Sequence, residues 1–197
     1  IPRLKNRKTY NTHSISFNPK LMLKAVQLGA PEALSHFFEM SAWAAVITII
    51  SWKGEDYLLI VTLDQTLFIL FMFVYSELSN AVKSLCANYI GANTLEYIPS
   101  LIYSALLIHS IFIFSVSALI FISPQLFISA FSLSSESSYI QLEVIKSLKG
   151  VMTLMFLDGV AYIYASILTA YGDTFASMAI TAINMWLFLV LPTYLLV

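Results

Sequence analysis

Five stretches of this chain stay apolar for about 20 residues or more, the length a helix needs to cross a hydrocarbon core about 30 Å thick. They lie near residues 26–51, 57–80, 97–122, 143–169 and 174–197. That pattern predicts an all-α, polytopic helical membrane protein of about five transmembrane helices. Composition agrees: 59% of the 197 residues are hydrophobic and 11% are charged, whereas a soluble domain has about a quarter of its residues charged. Ten basic residues against eleven acidic ones leave no positive excess to attract nucleic acid. A single cysteine, Cys86, excludes an intrachain disulfide framework and a multi-cysteine metal site.

The connectors between spans are short, at residues 52–56, 81–96, 123–138 and 170–173, with no soluble insertion. Residues 1–25 form a basic arm carrying Arg3, Lys5, Arg7, Lys8, Lys20 and Lys24 and no acid, six of the ten basic residues. Basic residues favour the cytoplasmic side, so the arm is expected in the cytosol. The first and third connectors are then expected outside, and the second and fourth inside. Lys53, Lys146 and Lys149 run against this but are outnumbered. Pro31, Pro99 and Pro124 are expected near span ends or in loops, while Pro192 is placed to kink the last helix. The opening Ile1-Pro2-Arg3 has no methionine and no signal-peptide pattern, and reads as the start of a piece of a longer protein.

Against this apolar background three carboxylates stand out. A carboxylate at mid-bilayer costs about 2.5 to 3.5 kcal/mol even on lenient scales, so each is a functional candidate. Glu39 lies 13 positions after Val26, roughly 20 Å along a helix and close to the midplane. Asp158 holds the same middle position in the fourth span, and Asp64 lies about a third of the way into the second. No lysine or arginine falls at comparable depth. Four states remain open for these acids: the neutral protonated form, a bound metal cation, a cationic substrate, or a basic partner from other protein.

Their helical neighbours are polar or small. Glu32, Ser35 and His36 share one stripe with Glu39, which should face protein or water. Asp158 shares a face with Tyr162, Ala165 and Thr169, able to pack closely and still offer oxygens to an ion. His36 reads first as a packing residue or a hydrogen-bond partner of Glu32, and second as an ion ligand. Trp43, one turn after Glu39, reads first as packing, with stacking on an organic cation as the sharper alternative. His109 sits alone on an apolar span and suggests no role.

The run Leu28-Gly29-Ala30-Pro31-Glu32-Ala33-Leu34-Ser35-His36-Phe37-Phe38-Glu39 resembles the opening of the carboxyl-terminal lobe of multidrug and toxic compound extrusion (MATE) transporters, where a Leu-Gly-x-Pro turn precedes a membrane-embedded glutamate. Asp64-Gln65 stands where many members carry His-Gln. Ser79-Asn80-Ala81 through Gly91-Ala92-Asn93 is similar to the stretch that closes the second helix. Phe156-Leu157-Asp158-Gly159 and the segment from Leu168 to Thr174 resemble the intramembrane aspartate and the Leu-Arg-Gly-x-x-Asp-Thr turn. Thr169 and Ala170 depart from that turn's Arg-Gly.

The resemblance covers nearly the whole chain after the arm. It implies helices seven to eleven of a twelve-helix transporter, with residues 1–25 as the cytosolic link from a missing N-terminal six-helix lobe and residues 26–197 as the transmembrane C-lobe. It further implies a cation-coupled antiporter in a plasma membrane, the bacterial inner membrane in particular, exporting organic cations by alternating access. Glu39 and Asp158 would bind the coupling proton or sodium ion. Asp64, Ser35, His36, Trp43 and Tyr162 are additional candidates for cation or substrate contact. No cofactor beyond the coupling ion and no enzymatic activity are expected. A lipid-linked saccharide flippase of the same superfamily is the main alternative, although its cavity would be expected to be basic. An intramembrane aspartyl protease built on Asp158 and Asp173 lacks the Gly-x-Gly-Asp motif, since Ala170 fills the first glycine position. A purely structural membrane protein leaves three unpaired carboxylates unexplained.

Overall fold

The computed structural model describes residues 17–131, 133 and 136–196. Most of the basic arm, with Arg3, Lys5, Arg7 and Lys8, lies outside the described residues. Among those described, the elements are helices and turns: α1 (Pro19–Ser51), α2 (Glu55–Gly91), a 3-10 turn (Leu95–Tyr97), α3 (Ile98–Ile122), a short α4 (Pro124–Ala130), α5 (Ser138–Ala170), and a last helix made of α6 (Thr174–Asn184), a π-helical segment (Met185–Val190) and α7 (Leu191–Leu196). Five of these units are long and apolar enough to cross a membrane, as the apolar runs predicted.

Each helix end has a local cause. Asn18 caps α1, its side chain accepting from the Lys20 and Leu21 amides, with Pro19 at the first helical position. Gly54, at φ 118°, makes the tight turn into α2, whose first turn carries Glu55 and Asp56 where the helix dipole favours acids. Asn93, at φ 56°, ends α2, as the short polar side chain of asparagine tolerates the left-handed region. Ser137 caps α5 by accepting from the Ile140 amide. Asp173 does the same for α6, accepting from Ala176, so it is a capping residue of the fourth connector.

Three boundary expectations are corrected. First, α1 starts at Pro19, so its first two turns carry Lys20 and Lys24, and Pro31 lies inside the helix. Residues 28–31 make no turn: the proline removes one backbone donor, a loss that long membrane helices tolerate, and the helix runs through. Second, α2 continues to Gly91, through most of the stretch read as a connector. Ser79, Val82 and Cys86 are buried at helical spacing and hold this extension against the bundle. Third, the connector at 123–138 contains α4. The anticipated effect of Pro192 takes the form of a widened helix: the π-helical turns lie just before it, where the proline cannot donate to the Phe188 carbonyl.

In the bundle, α2 packs most extensively on α5, α1 packs on α2 and on α6, and α6 also meets α5. These four close a ring, and α3 packs on its outside against α5 and α2. One half of the ring is filled by an apolar core that includes Ala42, Val46, Leu67, Phe68, Leu148, Met152 and Met155. The other half is hollow.

Candidate functional site

The hollow half is a cavity of about 290 Å³ lined by α1, α2, α5 and α6. From α1 come Glu32, Ser35, His36 and Glu39; from α5 come Asp158, Ala161, Tyr162, Ala165 and Thr169. These are the two polar stripes read from helical spacing, now facing each other across one space. The antiparallel order α1, α2, α5, α6 gathers the N-terminal halves of α1 and α6 with the C-terminal halves of α2 and α5. The cavity therefore opens at the end carrying the second and fourth connectors.

At its mouth, Lys83 of α2 donates to Glu32 of α1 at 2.6 Å, both partly exposed. Seven residues further along α1, about 10 Å deeper, Glu39 is only 2% exposed. The Tyr162 hydroxyl donates to Glu39 Oε2 at 3.1 Å, and His36 Nδ1 lies 3.5 Å from the same oxygen. Glu32 pairs with Lys83 instead, so the expected His36–Glu32 contact is replaced by a His36–Glu39 contact. Asp158 accepts a 2.6 Å hydrogen bond from the hydroxyl of Tyr75, a fully buried residue of α2. The two tyrosine rings meet edge to face, with centroids 5.3 Å apart. Glu39, Tyr162, Tyr75 and Asp158 thus form a continuous chain of contacts between the two acids.

Two sequence candidates lie elsewhere. Asp64 is on α2 near the opposite end, where Ser147 of α5 donates to it at 3.0 Å, and it does not line the cavity. Trp43 is buried in the apolar core against Phe68, with ring centroids 5.2 Å apart, and is not positioned to stack on a cavity ligand. Trp43 is one turn beyond Glu39 and faces the filled half, whereas Asp64 precedes the first cavity-lining residue of α2, Met72, by about two turns.

Tyr75 and His109 are the residues that sequence reasoning missed. Tyr75 shares a helical stripe with Ser79, Val82 and Cys86, and a mid-span phenol hydroxyl needs an acceptor. Its acceptor, however, is 83 residues away. His109 of α3 is 1% exposed, and its Nε2 lies 3.1 Å from the Phe156 carbonyl.

A model of the MatE family matches residues 31–195. The chain belongs to this family. No curated protein and no solved structure matched it. The match runs from Pro31 through every cavity-lining helix, and MatE proteins are membrane transporters and not enzymes. The chain is accordingly an integral membrane protein of a transporter family.

Proposed function

We propose that this MatE chain carries the coupling-ion site of an antiporter that exports organic cations by alternating access. The observation that carries the reading is the meeting of Glu39 and Asp158 in one cavity through the two tyrosines. Each tyrosine addresses one oxygen of its carboxylate, and a carboxylate has about four lone-pair sites, so each acid keeps capacity for a proton or a sodium ion. Carboxylate, phenol and serine oxygens are hard ligands suited to either. A cavity of about 290 Å³ is at the small end of ligand sites, and it gains from a second lobe facing it, the N-terminal lobe that the family resemblance implies.

The basic residues of the arm favour a cytosolic position for the open end, and the family resemblance favours a plasma membrane, the bacterial inner membrane in particular. In that state an organic cation is attracted by two buried acids. Arrival of the coupling ion neutralises them, and the cation's affinity falls. A ligand shifts a conformational equilibrium only through such a difference in affinity between states. For a lipid-linked saccharide flippase the cavity would need free basic groups, but Lys83, the one lysine or arginine lining it among the described residues, is tied to Glu32.

The test is efflux of a fluorescent organic cation from vesicles holding the complete protein, under an imposed proton gradient and, separately, a sodium gradient. Glu39→Gln and Asp158→Asn are expected to abolish gradient-driven efflux while the protein still inserts. Undiminished efflux in both variants refutes the assignment.

A further inference from the structure

α3 contributes nothing to the cavity wall, yet one of its residues makes four contacts around Asp158. His109 is almost completely buried. Its Nε2 is 3.1 Å from the backbone carbonyl of Phe156, two residues before Asp158. Its ring stacks on the Phe156 ring, with centroids 5.9 Å apart and planes within 18°. It also lies directly over Gly159, the residue after Asp158, where a Cβ would overlap the imidazole. Finally, it meets the Tyr75 ring edge-on at 5.8 Å and 83°. Tyr75 in turn donates to Asp158.

A carbonyl oxygen only accepts, so His109 Nε2 carries the proton. Nδ1 has no hydrogen-bond partner among the described residues, and a second proton there would be a buried donor without an acceptor. The ring therefore sits as the neutral Nε2–H tautomer. Burying a polar ring costs more than burying a phenylalanine of similar size unless its hydrogen bond is used. Here the bond reaches the one helical turn that bears the acid.

We infer that His109 is a positioning residue for the coupling-ion site: with Gly159 it fixes the Asp158 turn of α5 and the ring of Tyr75 relative to each other. Gly159 admits the imidazole, the Nε2–H bond sets the height of α5 against α3, and the ring edge forms the wall that keeps Tyr75 on Asp158. This rests on the transport reading, and it assigns a role to a residue outside the cavity.

The experiment uses the complete protein in vesicles and measures two quantities for each variant: the coupling-ion concentration and the fluorescent-cation concentration giving half-maximal efflux. His109→Gln places an amide nitrogen near the Nε2 position, while His109→Asn places one near Nδ1, too short to reach Phe156. Gly159→Ala pushes the imidazole away without touching it chemically. His109→Asn and Gly159→Ala are expected to shift the ion dependence about three- to tenfold, the scale of one buried hydrogen bond. The substrate dependence should stay within about twofold, because the charges of Glu39 and Asp158 that attract the cation act over distance and survive a small displacement of Asp158, whereas ion coordination depends on where its oxygens sit. His109→Gln should restore the ion dependence toward wild type.

Equal shifts in ion and substrate dependence would mark a merely structural role and overturn the inference, as would wild-type ion dependence in His109→Asn. Where one of these variants fails to insert, the other decides on the same criterion. If both fail, His109→Gln decides: insertion with wild-type ion dependence supports the inference, and a failure to insert overturns it in favour of a folding role. Absence of ion-driven efflux in the unsubstituted protein, by contrast, is a failure of the transport reading itself.

Discussion

Replacing Tyr75 by phenylalanine removes one oxygen and leaves the ring packed between His109 and Tyr162, so it isolates the hydrogen bond to Asp158. Two magnitudes compete for the result. Hydrogen bonds between membrane helices average about 0.6 kcal/mol in double-mutant cycles, with a maximum near 1.7 kcal/mol. Hydrogen bonds to charged groups contribute about 1.5 to 3 kcal/mol. The 2.6 Å separation is that of a well-formed O–H···O bond, within the general range of about 2.5 to 3.0 Å. The expected value is therefore set where the two ranges meet, near the top of the membrane-helix range and the bottom of the range for charged groups. We expect a coupling energy of about 1.5 kcal/mol between Tyr75→Phe and Asp158→Ala. The assay is reversible unfolding in mixed micelles of the two single variants and the double variant, since only the cycle separates the pair from side effects of either change. A coupling energy indistinguishable from zero would show that Tyr75 does not hold Asp158, and would remove the link between the two acids on which the site rests.

Two further outcomes test the division of the molecule into open and closed halves. Asp64→Asn keeps an acceptor for Ser147 and lies away from the cavity, so efflux should stay within about threefold of wild type on the scale of one neutral hydrogen bond; a loss as complete as that expected for Glu39→Gln would put Asp64 on the transport path. Asp173→Ala removes the cap of α6 and should cost about 0.5 to 2 kcal/mol in the same unfolding assay, with efflux retained. Abolished function with unchanged stability would instead give Asp173 a chemical role.

The number and type of spans could be read directly, because a run of about 20 apolar residues has few alternatives to a membrane helix. Helical spacing was equally direct for the two stripes, since Glu32, Ser35, His36 and Glu39, or Asp158, Tyr162, Ala165 and Thr169, share a face in any α-helix. The ends were less legible. α2 runs on to Gly91 because burial of Val82 and Cys86 in tertiary contacts, and not hydropathy, keeps it helical there. Pro31 already fell within the span read at 26–51, but a turn was expected at residues 28–31, and only the continuous helix from Pro19 shows that none forms there.

Sequence alone therefore determined that the chain spans a membrane, that it carries acids within its apolar runs, and which residues share a helix face with them. Facing is a property of one helix and follows from 3.6 residues per turn. Tertiary structure decided which faces meet. It brought Glu39 and Asp158 into one cavity, left Asp64 and Trp43 out of it, paired Glu32 with Lys83, and supplied Tyr75 and His109 as partners. Those choices depend on the rotation and height of each helix against its neighbours. Small contacts such as an imidazole over Gly159 set these, and no periodicity along the chain records them.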